Sequence, residues 1–187
     1  MCSRWPPCPQ VRLHDDSLHK LYLITKNLAD NITIKYRKLD VHEVVPLRHT
    51  VLWPDQPVSY VLLPEDSEGF HFGAIYCADG EEKLGTPIAV ISLFVEALPS
   101  ADDGTGAIAP AARFRKFACD PTCQGRGVGT GLLRYVFGLA KHDLKCSVLW
   151  CDARVETAGW YERRGMQRFG ETFYKGPVQY VRMKISI

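Results

Sequence analysis

The part of the chain best suited to chemistry is a glycine-rich stretch, CDPTCQGRGVGTGLL, at residues 119–133. It places four glycines within seven positions, directly before an apolar pattern with helical spacing. A helix that begins here leaves its first backbone N–H groups without intrahelical acceptors, at the positive end of the helix dipole. Glycines let an anion approach those groups without obstruction by side chains. The stretch therefore predicts a cradle for a phosphate.

Spacing excludes two common phosphate-binding loops. The nucleotide P-loop ends in Gly-Lys-Ser or Gly-Lys-Thr, which the segment GTGLL lacks. The dinucleotide pattern G-x-G-x-x-G finds no register either, because Gly125 meets Thr130 and Gly127 meets Leu132. What remains is the segment 124–129, which reads Q-x-x-G-x-G.

Hydrophobic periodicity predicts a mixed α/β domain around this turn. Strands are predicted at 32–39, 70–78, 87–98, 112–119 and 146–153, with two more around Gly176-Pro177. Helices are predicted at 40–53, from Val128 onward, and at 156–164; Asp40 caps the first, and Pro46 should kink or restart it. The order indicates a central sheet of about six to seven strands, with an antiparallel N-terminal half followed by one β-α-β unit.

Composition and organisation limit the classes of function. Residues 32–187 form the predicted domain, and residues 1–31 are an N-terminal extension in which Ser17 could cap a helix. The formal charge of +2, from 23 basic and 21 acidic residues, argues against nucleic acid or a membrane surface as a partner. No apolar run has the length of a signal peptide or of a membrane span, so we expect a soluble, cytoplasmic protein. Seven cysteines without a C-x-x-C pair predict reduced thiols and no zinc site.

Two motifs in the correct order resemble those of one family. The segment 124–129 resembles the acetyl-CoA pyrophosphate loop of the GNAT superfamily of N-acetyltransferases, and TAGWYERRGM (157–166) is similar to the family's small-x-x-aromatic-Tyr-x-x-x-Gly-Phe/Met stretch. WCDAR (150–154) resembles the WCNAR stretch of one branch of small-molecule GNATs, and FRKFAC before the loop is close to that branch too. The resemblance covers residues 32–187. It implies the GNAT fold and transfer of acetyl from acetyl-CoA to the primary amine of a small molecule, by direct attack in a ternary complex and without a metal.

The resemblance also implies residue roles. Backbone N–H groups of the loop would bind the pyrophosphate, and the main chains of Phe117 and Cys119 would pair with the pantetheine arm. The loop residues are Gln124, Gly125, Arg126, Gly127, Val128 and Gly129. Thr130 could add a hydroxyl, and Tyr161 matches the family's proton donor to the departing thiolate. The competing interpretations are an ordinary strand-to-helix turn and a half-buried core tyrosine.

The chain departs from the family pattern at the proton acceptor and beside the pantetheine. Histone-acetylating members place a glutamate base where this chain has Arg113. An Asn that touches the pantetheine is replaced by Arg154, which we assign to the cofactor. We expect Asp152, which replaces the Asn of WCNAR, to pair with Arg154 as a structural pair.

The proton acceptor stays open at this stage. Candidate side chains are Asp66, His71 and Glu171, and a chain of water molecules is the alternative. Trp53, Pro54, Asp55 and Tyr60 lie in the region where the family forms its acceptor pocket.

Other functional hypotheses also remain. A catalytically silent acetyl-CoA-binding module would keep the loop but not the chemistry, and lysine or N-terminal amines of proteins are alternative acceptors. A protein or nucleic-acid interaction domain would need a basic or apolar surface stripe, and the segment 17–31 is the only candidate for one. The sequence is also compatible with a homodimer.

Overall fold

The computed structural model describes residues 32–78, 85–99 and 110–187. The strands are β1 (Ile32–Leu39), β2 (Phe70–Ala78), β3 (Ala89–Val95), β4 (Ala111–Cys119), β5 (Val148–Arg154), β6 (Gln167–Lys175) and β7 (Val178–Ser186). The helices are α1 (Val41–Leu52), α2 (Val128–His142) and α3 (Val155–Glu162). The extension, its predicted helix and most of both connections flanking β3 lie outside the described residues, and the domain boundary after residue 31 stays a prediction.

The seven strands form one sheet in the order β1-β2-β3-β4-β5-β7-β6. All neighbouring strands are antiparallel except β4 and β5, which are parallel and joined through α2. A parallel pair needs such a crossover, because the chain must return to the same end of the sheet. The predicted mixed sheet, with its antiparallel N-terminal half and single β-α-β unit, is confirmed.

The helices cover the two faces of the sheet unequally. α1 packs on one face through Val44, Leu47 and Val51, which contact apolar side chains of β1 to β4. α2 lies on the opposite face, where its apolar stripe, including Leu132 and Val136, completes the larger core. α3 packs against β5, β6 and β7, and its Ala158 belongs to the same larger core. Among the described helices, none combines the length and apolarity that crossing a membrane requires.

α1 runs from Val41 to Leu52 without interruption at Pro46, so the prediction of a restart there is wrong. A proline in a helix removes one backbone hydrogen bond, which neighbouring contacts can offset. Here the N-terminus is held by a capping box between Asp40 and Glu43, and Val44 is fully buried against the sheet. Both contacts stabilise the helix on the N-terminal side of the proline.

The sheet opens between its two parallel strands. β4 and β5 pair only from Ala111–Arg113 to Val148–Trp150, near the start of both strands. Beyond this point a β-bulge shifts the register of β4 on β3, and Lys116 within it has a left-handed φ of 51°. A bulge bends and twists its strand, so β4 turns away from β5. The result is an opening between the carboxyl ends of β4 and β5, where α2 begins.

The glycine of α2 that follows the loop has a packing function. A Cβ atom at Gly131 would overlap the hydroxyl of Tyr36, whose ring is buried and stacked on Tyr135. We expect Gly131→Ala to lower the free energy of unfolding by about 1–3 kcal/mol, because the buried, stacked ring must shift to admit the methyl group. Gly138→Ala is the matched control in the same helix: its Cβ meets nothing within 4 Å, so it should be neutral or slightly stabilising. Urea unfolding measures both, and equal stabilities would contradict the packing argument.

Candidate active site

Residues 124–129, which we call the glycine turn, follow a short 3-10 turn, Pro121–Cys123, at the end of β4 and lead into α2. Asp120 caps the 3-10 turn by accepting from the backbone N–H of Thr122 at 2.8 Å. α2 then begins with Gly127 as its N-cap residue and has no side-chain cap. Its first backbone N–H groups therefore have no helical acceptors and lie at the positive end of the helix dipole.

The glycines of the turn are required for different reasons. Gly125 and Gly127 have left-handed φ angles of 74° and 83°, which only glycine adopts at little cost. A Cβ at either position would meet nothing within 4 Å, so the space above them is open to a ligand. A Cβ at Gly129 would come within 3.3 Å of the Phe117 ring, so this glycine allows α2 to approach the end of β4.

The polar side chains of the turn are bound to the protein. The Gln124 amide nitrogen donates to the carbonyl of Cys119 at 3.0 Å, which ties the turn back to the end of β4. The exposed Arg126 side chain forms a hydrogen bond with the Tyr76 hydroxyl on β2. Both contacts are made by side chains, so the backbone N–H groups of the glycines are not engaged by them.

A cation that the sequence analysis missed lies beside this helix start. Arg164 donates from Nε and Nη2 to the Thr130 hydroxyl, at 2.9 and 2.7 Å. Its guanidinium stacks over Trp160, with Cζ 3.5 Å from the ring centroid. The i, i+4 spacing of Trp160 and Arg164 was the available signal for this stacked pair. The Thr130 hydroxyl therefore orients a positive charge next to the first turn of α2.

Tyr161 lies on the α2 side of the opening, within reach of β4. Its ring centroid is 5.9 Å from that of Phe114 and 5.0 Å from that of Trp160, and its side chain is only partly exposed. Burial raises the pKa of Tyr161 well above the usual value for a phenol, and the nearby Cys151 acts in the same direction. The phenol is therefore protonated over the physiological range of pH.

The end of β4 brings Phe117 and Cys119 to the same opening. The Phe117 ring packs against Trp160 with centroids 5.7 Å apart, so β4 and α3 enclose one side of the turn. Burial, reinforced by Cys123 and Asp120, raises the pKa of the Cys119 thiol to about 11. At neutral pH this thiol is protonated, which makes it a poor nucleophile.

His71 belongs to a buried polar network under α1. Its Nε2 donates to the backbone carbonyl of Asp66 at 2.8 Å, and its Nδ1 lies 2.7 Å from the Ser92 hydroxyl. Arg48, which is fully buried, donates to the Asp66 carboxylate at 2.8 and 3.0 Å and to Ser92 at 2.5 Å. Burial lowers the pKa of His71, so the ring is neutral and both nitrogens are engaged. His71 and Asp66 therefore form buried structural contacts and do not face the opening between β4 and β5.

Glu171 lies apart from the residues of the opening. It is exposed and sits on β6, the outermost strand of the sheet, where the register with β7 shifts between Phe169 and Phe173. Two strands separate β6 from β4 in the order of the sheet. No contact in the structure brings Glu171 to Tyr161.

Asp152 does not form the expected pair with Arg154. Its carboxylate binds Arg113 of β4, accepts from Lys175 Nζ at 2.7 Å and lies 3.8 Å from Arg182 Nε. Arg182 is its direct cross-strand partner on β7, which explains why the carboxylate turns that way. Arg113 also donates to Glu96 at 2.8 Å and stacks on Trp150, so it is a structural residue of this face.

Arg154 points to the face of the sheet that carries α1. Its Nη2 donates to the carbonyl of Leu52 at 3.3 Å, and its guanidinium lies over Trp53, 5.2 Å from the ring centroid. Trp53 in turn makes an edge contact with Tyr60, with centroids 5.0 Å apart. The residue that the sequence assigned to the cofactor is therefore on the side opposite to Tyr161, among the predicted acceptor residues. No group of three potential metal ligands occurs within the described residues.

The sheet opening and the glycine turn define an α/β protein that can receive a phosphate-bearing ligand at the start of a helix. Residues 71–168, more than half of the chain, match the family model described as an acetyltransferase (GNAT) domain. The chain belongs to the GNAT superfamily and is an acetyl-CoA-dependent N-acetyltransferase.

Individual relatives are similar to the chain over most of its length. An uncharacterised N-acetyltransferase of Bacillus subtilis (strain 168), YitI, is 28% identical over 145 residues, which cover 75% of this chain and 87% of the relative. NAA60 of Arabidopsis thaliana, solved with acetyl-CoA, has a TM-score of 0.63 at 11% identity and covers 83% of this chain and 99% of its own. FeeM, an N-acyl amino acid synthase from uncultured soil microbes, has a TM-score of 0.62 at 16% identity, with 82% and 90% covered. These two solved structures support the fold alone.

Proposed function

We propose that this protein transfers the acetyl group of acetyl-CoA to the primary amine of a small molecule, by direct attack in a ternary complex. The observation that carries the proposal is the position of Tyr161 at the same sheet opening as the glycine turn. One end of this opening offers backbone donors for a diphosphate, and its interior offers a protonated phenol. When bound, acetyl-CoA supplies the acetyl group as a thioester.

The residues at the opening fit the parts of acetyl-CoA in order. The open glycine backbone of residues 124–129 suits the diphosphate, and Arg164 adds a positive charge beside it. The backbone of Phe117 lies in the part of β4 that no longer pairs with β5, so it can pair with the amides of the pantetheine arm. Arg126 is exposed and can exchange its contact with Tyr76 for the diphosphate.

Tyr161 is the proposed proton donor to the departing sulfur. A general acid must hold its proton before the reaction, and the raised pKa of the buried phenol ensures this at neutral pH. The reference pKa of a thiol, near 8.5, lies below that of this phenol, so transfer of the proton to the departing sulfur is uphill and is completed only as the phenolate is reprotonated. The proton that the amine loses returns to the phenolate of Tyr161, so the proton donor is restored at the end of each turnover.

We propose that water, rather than a side chain, first accepts the proton of the amine. Asp66 and His71 are engaged in the buried network, and Glu171 lies on the outermost strand. Arg113 is paired with Glu96 and Asp152, and a guanidinium offers only donors and no acceptor for a proton. A Glu171→Gln variant with a large fall in kcat would favour the side chain instead.

Direct attack, without an acetylated enzyme, is favoured by the state of the thiols. Cys119 is the thiol at the end of β4, and its pKa of about 11 leaves little thiolate at neutral pH. Cys151 is buried, and burial raises the pKa of its thiol well above the usual value. Neither thiol is a suitable nucleophile toward a thioester.

We therefore expect Cys119→Ala to keep kcat within about threefold of wild type, since the cofactor contacts proposed for this residue come from its main chain. Steady-state CoA release measures the effect. A loss of about 10³-fold, together with acetylated Cys119 in the wild-type protein by mass spectrometry, would establish an acyl-enzyme route instead.

The choice of acceptor can be tested with a panel of amines. Small primary amines and lysine-containing peptides are compared for CoA release by the full chain. Faster release with small amines supports the proposal, and faster release with lysine peptides than with every small amine rejects this choice of acceptor. CoA binding without release in any case would favour the silent module.

A further inference from the structure

The sheet opening has two sides with different chemistry. The glycine turn, α2 and Tyr161 lie on one face, so the cofactor enters from that face. A bound cofactor blocks that route, and the acceptor must therefore come from the face that carries α1. On that side the segment following α1, from Trp53 to Tyr60, lies at the opening, because Lys116 of β4 donates to Tyr60 and Arg154 of β5 stacks over Trp53.

Two of these cations have no carboxylate partner among the described residues. Lys116, in the bulge of β4, donates to the carbonyl of Tyr60 at 3.3 Å. Arg154, at the end of β5, donates to the carbonyl of Leu52 at 3.3 Å. The two side chains approach the same short segment from opposite strands of the opening.

The neighbouring cations of this face are neutralised. Arg113 binds Glu96 and Asp152, Arg115 binds Glu65, and Lys175 also binds Asp152. Glu65, Glu96 and Asp152 are engaged in these pairs, while Lys116 and Arg154 donate to the backbone carbonyls of Tyr60 and Leu52. Half-buried cations with neutral partners favour an anion as a third partner, because charge-assisted bonds are stronger than neutral ones.

The surroundings strengthen this preference. Trp53 and Tyr60 pack edge to face beside Arg154, and they partly exclude water from its guanidinium. Burial, followed by the charges of Arg48 and Arg115, lowers the pKa of the Lys116 amine to about 8, although the nearby Asp66 acts in the opposite direction. An ammonium group that burial disfavours is stabilised when an anion binds to it.

We propose that the acceptor amine carries a carboxylate, which binds between Lys116 and Arg154 at the α1 side of the opening. This inference rests on the proposed function and specifies its substrate class as small amino acids or related amino carboxylates. An arginine binds a carboxylate through two parallel hydrogen bonds, and the flexible lysine adds a second charge. The ion pair would orient the amine toward the thioester.

The test compares acceptors that differ only in charge. Amino acids are paired with their C-terminal amides, and ethanolamine is paired with phosphoethanolamine to separate carboxylate from phosphate recognition. The enzymes are the full-length wild type, Arg154→Gln, Lys116→Gln and Arg154→Lys. Arg168→Gln is the matched control, because this exposed cation pairs with Glu162 on α3 and lies away from the opening. Calorimetric acetyl-CoA affinity verifies that each variant is folded.

For the wild type we expect kcat/KM to be at least about tenfold higher with the free acid than with the amide. Arg154→Gln and Lys116→Gln should each lose about 10- to 100-fold with the acid and change little with the amide, whereas Arg154→Lys should lose less. Arg168→Gln should behave like wild type. Equal use of acid and amide, a preference for phosphoethanolamine over amino acids, or equal losses on both substrates would overturn this inference. Absence of CoA release with every amine would instead reject the proposed function.

Discussion

Tyr161→Phe is expected to lower kcat by about 10²- to 10⁴-fold while leaving the affinity for acetyl-CoA nearly unchanged. The substitution removes only the hydroxyl, and the phenyl ring keeps its contacts with Phe114 and Trp160. Because the variant still binds the cofactor, a fall in kcat reports the lost proton donor. Steady-state kinetics and calorimetry on the same preparation separate the two effects.

The dependence of kcat on pH provides a second test of the role of Tyr161 as proton donor. A proton donor acts only while protonated, and burial raises the pKa of this phenol above its usual value of about 10. The wild-type kcat should therefore stay level up to about pH 10 and fall above it, and this fall should be absent from the variant. A variant with wild-type kcat and an unchanged profile would mean that Tyr161 is a packing residue.

Gly127→Trp should weaken binding of acetyl-CoA by about 100-fold or more, because the indole would occupy the open space above the turn and exclude the diphosphate. The wild-type backbone has a φ of 83° at this position, so any side chain also introduces strain. Gly127→Ala measures that strain alone, which we expect to cost about 1 kcal/mol in unfolding free energy.

Gly176→Trp is the matched control for the bulky side chain. Gly176 also has a left-handed φ, of 58°, and open space around its Cβ position, but it lies in the turn between β6 and β7. It should leave the affinity for acetyl-CoA unchanged in calorimetry, while circular dichroism verifies that all variants are folded. Equal affinities for Gly127→Trp and Gly176→Trp would remove the glycine turn from the proposed site.

The sequence predicts well the elements whose signals are local. The alternation in 32–39 and 70–78, the helical spacing after Val128 and the Gly176-Pro177 turn all reflect hydrophobic burial or turn preferences of neighbouring residues. The continuation of α1 past Pro46 could not be predicted, because it depends on how Val44 and Leu47 are held by the sheet.

In the candidate site, too, local motifs can be predicted from the sequence, whereas contacts between distant residues cannot. The glycine turn and Tyr161 are recognised from local motifs, and their roles in the site stay predictions. Arg154 lies on the face that carries α1 because side chains of a β-strand alternate between the two faces of the sheet. Its hydrogen bond with Leu52 could not be predicted, because the two residues are far apart in the sequence. His71 has the chemistry of a base, but its nitrogens are engaged by Asp66 and Ser92, which are known only from the folded arrangement.

The proposed glycine turn and Tyr161 both serve acetyl transfer from acetyl-CoA to an amine acceptor. The most direct test of this transfer is mass spectrometry of the acceptor after incubation of the full chain with acetyl-labelled CoA and the amine panel. We expect a labelled N-acetyl product that forms at the same rate as free CoA, with no label left on the protein. Release of CoA without an acetylated amine, or label retained on a cysteine of the enzyme, would contradict it.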